Sequence, residues 1–152
     1  MLTAALEYAR QGIPVFPCVP GKKTPLVAGG FHAATTDPEQ IDAWFKGTRN
    51  NLAIPTGRVS GRVVVDDDCY AEGGSGLAAL EVELRTLLET YTVRTRAGGY
   101  QYYFRYPEGH EIRCSANTVA RHVDIRGEGG YVVAPPSWVA EDEKGPAGFY
   151  TV

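Results

Sequence analysis

The stretch "GRVVVDDDCY", residues 61–70, decides the fold. Three valines, Val63 to Val65, run straight into three carboxylates, Asp66 to Asp68. A short continuous apolar, β-branched run is the pattern of a strand buried on both faces. Charges at its end must stay in water or be given a cation, because an unpaired buried carboxylate is expensive. Side chains alternate along a strand, so an extended chain through Asp68 puts Asp66 and Asp68 on one face and Asp67 on the other. Two acids spaced roughly 6.5–7 Å along a strand can grip one hard cation or flank two. Asp67 is then expected to be a solvated or capping residue.

Around this strand the chain divides into a helical first half and a β-rich second half. Leu2, Ala5, Leu6 and Ala9 recur at helical spacing and stop at Gly12, which predicts a first helix. "IPVFPC" predicts a short strand that Pro14 and Pro17 confine to an edge or limit in its pairing. Asp37, Pro38 and Gln40 fit an N-cap, a first helical position and a capping-box partner, so a second helix is predicted over Pro38 to Lys46. "NLAIPTG" predicts a strand, and the apolar run of residues 62–68 a central one. Leu77, Leu80, Leu84, Leu87 and Leu88 fall on one face of the longest predicted helix. Beyond it the strands are "TVRT", "YQYYFRY", "EIRC", "HVDIR", "YVVAPP" and a last one near "GFYTV", with turns at "AGG", "PEGH" and "GEGG". This order gives an α+β fold: a mainly antiparallel β-sheet flanked by helices and carrying the site.

Composition narrows the class. The 152 residues, 43% hydrophobic, suit one packed core, so residues 1–152 read as a single domain. The N-terminus lacks a signal-peptide pattern and no window is long and apolar enough to span a bilayer, so the expectation is a soluble, cytoplasmic protein with no membrane partner. Cys18, Cys69 and Cys114 are far apart with no C-x-x-C pair, which argues against a disulfide framework or a four-cysteine zinc site. They read as small core or strand residues. A net charge of −3 does not describe a chain that coats itself in nucleic acid, so any such contact needs a local basic patch or metal ions that cancel the acids.

Asp124, in "RHVDIRGEGG", is the third acid of interest. Val123 and Ile125 bury one face of its strand, leaving Asp124 and Arg126 on the other, and an aspartate inside a strand wants a reason. Two readings fit the acids: a metal site, or a polar strand end with Asp124 paired to Arg126 or Arg121.

Five blocks carry a resemblance: "ALEYARQGIPVFPCVPGKKTP", "GFHAATTDPEQIDAWF", "GRVVVDDD", "TVRTRAGGYQYYFR" and "VDIRGEGGYVVAPPS". In order and spacing they resemble the bifunctional DNA primase/polymerase N-terminal domain of the archaeo-eukaryotic primase superfamily, found in phage, plasmid and bacterial replication proteins. The resemblance implies a primase-like catalytic core, the N-terminal part of a longer protein that often carries a helicase. It implies template-dependent nucleotidyl transfer from nucleoside triphosphates onto a primer paired to a single-stranded DNA template. The family's D-x-D block falls on Asp66 and Asp68 and its later aspartate on Asp124, acids that in the family bind divalent metal, Mg²⁺ or Mn²⁺. One block departs: where the family has a histidine after "GG-x", this chain has Gln101. A glutamine amide still donates to phosphate but carries no charge and shuttles no proton. The departure fits natural variation with activity kept, if reduced, a catalytically impaired nucleotide or single-stranded DNA-binding module, or a laboratory substitution made to trap a complex. Survival of all three acids favours the first.

Other residues have two readings each. Gln101, Tyr103 and Arg105 share one face of their strand and Tyr100, Tyr102 and Phe104 the other; either face can stack bases, and one is expected to be core. Gly98 and Gly99 either bring backbone close to a bound nucleotide or make a plain hairpin turn. Lys22 and Lys23 form no P-loop; they reach template or triphosphate, or are an exposed basic loop. Of the arginines near Asp124, only Arg126 shares its face and stands out as a phosphate ligand. His110, Cys114 and His122 make a weak zinc constellation, with one cysteine among the three. "GEGG" is expected to make the tight hairpin after Asp124.

Overall fold

The apolar repeat at the start of the chain folds as helix α1 (Leu2–Arg10), and it ends where Gly12 takes φ 75°, a conformation that costs glycine nothing sterically. The fold is seen in a computed structural model that describes residues 1–69, 74–78 and 89–152. Strand β1 (Phe16–Cys18) follows, then helix α2 (Pro38–Phe45), β2 (Asn51–Pro55) and β3 (Arg62–Asp67). The Asp37 carboxylate caps α2 by accepting from the Glu39 N–H at 3.0 Å, with Pro38 at the first turn. The second half supplies β4 (Tyr91–Arg94), β5 (Tyr100–Arg105), β6 (Ser115–Ala120), β7 (Val123–Arg126), β8 (Tyr131–Val133), β9 (Trp138–Val139) and β10 (Gly148–Phe149). The expected helix through Leu77 to Leu88 is described only at residues 76–78; its remainder lies outside the described residues.

These strands make three antiparallel sheets: β4-β5-β3-β7-β6, β1-β2-β8 and the pair β10-β9. The apolar run of β3 is central in the largest sheet, and β1, with Pro17, is an edge strand. This is the expected α+β, mainly antiparallel architecture. Val64, Val93 and Tyr103 from the large sheet pack with Leu52, Ile54, Val132 and Val133 of the smaller one, and α1 and α2 add Ala5, Ile41 and Phe45 to the same core. Ser137 ties the sheets' ends without a strand: its hydroxyl accepts from the Leu52 N–H at 2.8 Å and donates to the Leu52 carbonyl at 3.1 Å. No helix among the described residues is long and apolar enough to cross a membrane.

Three sequence expectations are corrected. "EIRC" is not a strand: Tyr106 Oη accepts from the Ile112 N–H and the Ile112 carbonyl accepts from Glu128 N–H, so side-chain and loop bonds hold this segment and the strand starts at Ser115. Residues 127–130 do not join a hairpin, because β7 and β8 belong to different sheets; the glycines carry the chain across. A Cβ on Gly127 would lie 2.1 Å from the Ile112 carbonyl oxygen, so that crossing passes too close to another backbone for any side chain. Cys114 is exposed rather than a core residue, while Cys18 is buried as expected.

Candidate active site

The antiparallel register sets Asp66 opposite Gln101 on β5 and opposite Asp124 on β7. Directly paired residues share a face, so Gln101, Asp66 and Asp124 form one row across the three central strands. Val64 and Tyr103, two positions along on that face, lie in the core shared with the smaller sheet. The row therefore looks into the cleft between the sheets. The strand stops at Asp67, one residue short of a fully extended Asp68. Asp68 still joins Asp66 on the cleft side, in a small hollow with Lys23, Arg96, Lys144 and Tyr150.

Asp67 corrects another expectation. It is 2% exposed rather than solvated, on the opposite face, and accepts a hydrogen bond from the Ser75 hydroxyl. That hydroxyl in turn accepts from the Ala78 N–H at 2.9 Å, so the acid holds a helix-capping serine instead of capping directly. Burial raises the Asp67 carboxyl pKa, and its Oδ1 has no hydrogen-bond partner among the described residues.

Like charges opposed across a strand pair destabilise a sheet, and here Asp66 faces Asp124. Burial pushes the Asp66 carboxyl up to about 6, and Asp68 adds to the rise; Arg126 and Lys23 oppose it, and Asp124 raises it further. Arg126 bridges the row: its Nη2 lies 2.8 Å from Asp124 Oδ2 and its Nε 3.9 Å from Asp66 Oδ2. Asp124 is thus ion-paired with Arg126, one of its two expected readings, while its strand position faces Asp66. With Arg126 as counter-cation, no three His, Cys, Asp or Glu side chains among the described residues stand close enough to hold a metal ion as they are. That includes His110, Cys114 and His122. The donor chemistry of the row together with Asp68 nevertheless suits a hard cation: three carboxylates, whose hard oxygens such an ion prefers.

A cleft of about 380 Å³ opens beside the row, lined by Asp66, Gln101, Arg126, Lys23, Tyr131 and Tyr150 among others. Gln101 is 4% exposed, and its Oε1 accepts from the Tyr103 hydroxyl at 3.1 Å. That bond leaves the amide NH₂ as the donor end of the side chain, next in the row to an acid. Gly99 approaches the chain's own backbone: a Cβ there would meet the Asp67 carbonyl oxygen at 2.6 Å. The β4–β5 turn thereby packs against the end of β3 and fixes Asp68 beside it. In the same turn Gly98 has φ 93° and donates to the Thr95 carbonyl at 3.0 Å, the plain hairpin geometry.

Two anchors place the cations. Asn51 Nδ2 donates to the Lys22 carbonyl at 3.0 Å and the Trp138 carbonyl at 2.7 Å, holding the loop that carries Lys23. Arg96, its side chain 1% exposed, pairs with Asp142 and donates to the carbonyls of Gly145 and Pro146, which holds the loop that brings Lys144 to the hollow. Sequence reading missed Arg96, Lys144 and Tyr150. The one signal for Arg96 is its place in the turn just before Gly98 and Gly99.

No curated protein matches the chain. A family model described as bifunctional DNA primase/polymerase, N-terminal, matches residues 5–151. The match contains every block from which the resemblance was read, together with the central strand, the facing aspartate and the glycine turn described above. The chain belongs to the bifunctional DNA primase/polymerase N-terminal (Prim-Pol) family.

Proposed function

We propose that this chain is the catalytic domain of a primase–polymerase, transferring nucleotides from nucleoside triphosphates to a 3′-hydroxyl paired on a single-stranded DNA template during replication. The observation that carries this reading is the row Gln101–Asp66–Asp124 with Asp68 at its end, beside a cleft bordered by Lys23 and Arg126. Asp66, Asp68 and Asp124 are the residues that would hold Mg²⁺ or Mn²⁺. Such a cation, when bound, lowers the pKa of an attacking hydroxyl and offsets charge on phosphate oxygens.

The remaining roles belong to the chain itself. Asp66, raised by burial only to about 6, is largely ionised at neutral pH and would meet a cation as a carboxylate. Arg126 exchanges its carboxylate partners for phosphate, a move its flexible side chain and bidentate fork suit. Lys23, which lines the same cleft, offers a second positive charge. Gln101 donates its NH₂ to a phosphate oxygen, with the amide orientation set by Tyr103. A neutral amide stabilises developing charge less than an imidazolium does, so the reaction is expected to be slower than with a histidine.

A second reading rests on the same residue: Gln101 in place of the family histidine fits a module that holds nucleotide or single-stranded DNA without efficient catalysis. Incubation with a labelled primer–template, deoxynucleotides and Mg²⁺ or Mn²⁺ separates the two. Extension supports the polymerase, a mobility shift without extension supports the binding module, and shortening of the primer contradicts both. The Gln101→His variant is expected to extend about tenfold faster or more, on the scale of an added acid–base or charged group. An unchanged rate would show that the amide is no handicap.

A further inference from the structure

A second opening lies at the other end of β3, on the same face of the sheet but beyond the packed Val64 and Tyr103. There a cavity of about 600 Å³ is bounded by α1, the ends of β3, β4 and β5, and residues 135–136. Its size lies in the range of small-molecule sites, and Tyr8, Tyr91 and Tyr103 give it aromatic walls. The Tyr8 and Tyr91 hydroxyls meet at 3.3 Å, and the Tyr91 ring stands edge-on to Tyr103 at 5.3 Å, so these rings are already fixed.

The charges around it are unbalanced. Arg62 and Arg105 face each other directly across β3 and β5 and both line the cavity. Among the described residues neither is ion-paired; Arg62 donates only to the Gly61 carbonyl at 3.2 Å. Among the described residues the one acidic side chain lining the cavity, Glu7, has both oxygens engaged, one by Arg10 at 3.2 Å and the other by Gln11 at 3.0 Å. Two arginines opposed across a strand pair with no counter-charge destabilise the sheet unless an anion joins them.

We propose that this far opening is a second binding site, for a small planar anion: a flat aromatic body carrying a phosphate or carboxylate. The body lies against the tyrosines, and the anionic group joins Arg62 and Arg105, whose guanidinium forks match its oxygens. The site is separate from the acid row. Tyr103 lies between the two, its ring in the cavity wall and its hydroxyl on Gln101.

The test is calorimetric titration of the intact chain with phenyl phosphate, benzoate and adenosine monophosphate, in EDTA so that no divalent cation loads the acids. Inorganic phosphate and adenosine serve as half-ligand controls. At least one planar anion is expected to bind about tenfold or more tighter than either control. Arg105→Gln, at an exposed position, and Arg62→Gln are each expected to weaken it by about tenfold or more, the scale of a lost charge-assisted pair. Asp66→Asn is expected to leave it unchanged. No binding by any of the three anions, binding unaffected in a folded Arg105→Gln variant, or binding lost with Asp66→Asn would overturn the proposal.

Discussion

Primer extension by the Asp66→Asn variant is expected to fall by about 10²–10³-fold or more, the scale on which removing one stabiliser of developing charge registers. Asparagine keeps the shape and the strand propensity of the site, so the fold is retained while the negative oxygen is lost. Asp66 is the middle member of the row, opposite Gln101 on one side and Asp124 on the other, and it shares the hollow with Asp68. Its loss therefore touches the pairings with Gln101, Asp124 and Asp68 at once. Asp124→Asn is expected to act in the same direction and also to release Arg126, which it holds at 2.8 Å. Asp67→Asn provides the contrast. That carboxylate lies on the other face, bonded to Ser75, so extension is expected to stay close to the wild-type rate. Wild-type extension by Asp66→Asn would contradict the role given to the row.

Stability should fall as pH rises from about 4 to 7 in the metal-free protein. The Asp66 carboxyl goes from an ordinary 3.8 in the unfolded chain to about 6 in the folded one, chiefly through burial and then the charge of Asp68. In that window the folded state binds more protons than the unfolded state, so the slope of unfolding free energy against pH is negative. Its side chain is 18% exposed, so solvent screens the shift little. At about 1.4 kcal/mol per pKa unit, the loss attributable to Asp66 is about 3 kcal/mol once pH passes its folded value. Asp67, also raised by burial, contributes in the same direction. Denaturant unfolding of wild type and Asp66→Asn at a series of pH values isolates the Asp66 share by difference. The variant is expected to show a shallower decline, and parallel curves would mean that Asp66 titrates normally.

The acid row was legible because strands impose simple rules. An apolar run into three aspartates marked a central strand, and alternation separated Asp66 and Asp68 from Asp67 without knowledge of any partner. Asp124 stood out as a charge where strand propensity disfavours one, and its position facing Asp66 followed from pairing. Which strands pair was harder. The glycines after Asp124 resemble a hairpin locally, but β8 finds its partner in β2, with Ala53 opposite Val133, and no local signal encodes that choice. Asp67 was misplaced for a related reason: whether the far face of a strand is covered depends on what packs there, not on the strand's own pattern. Arg96 and Lys144 were invisible because their meeting with the acids depends on a loop held by Asp142, an exposed and ordinary residue in the sequence. Arg126 was found by alternation, and the structure shows it bonded to Asp124, the strand-mate that alternation put on its face.

On the proposed reading, Asp66, Asp68 and Asp124 act jointly on a divalent cation. Mn²⁺ titration of the purified chain, followed by loss of the free-ion signal in electron paramagnetic resonance, tests it without requiring turnover. Binding by wild type that weakens about tenfold or more in both Asp66→Asn and Asp124→Asn is the predicted result, since even outer partners of a metal site are worth that much. Equal binding by wild type and Asp124→Asn, or no binding by wild type, would contradict it.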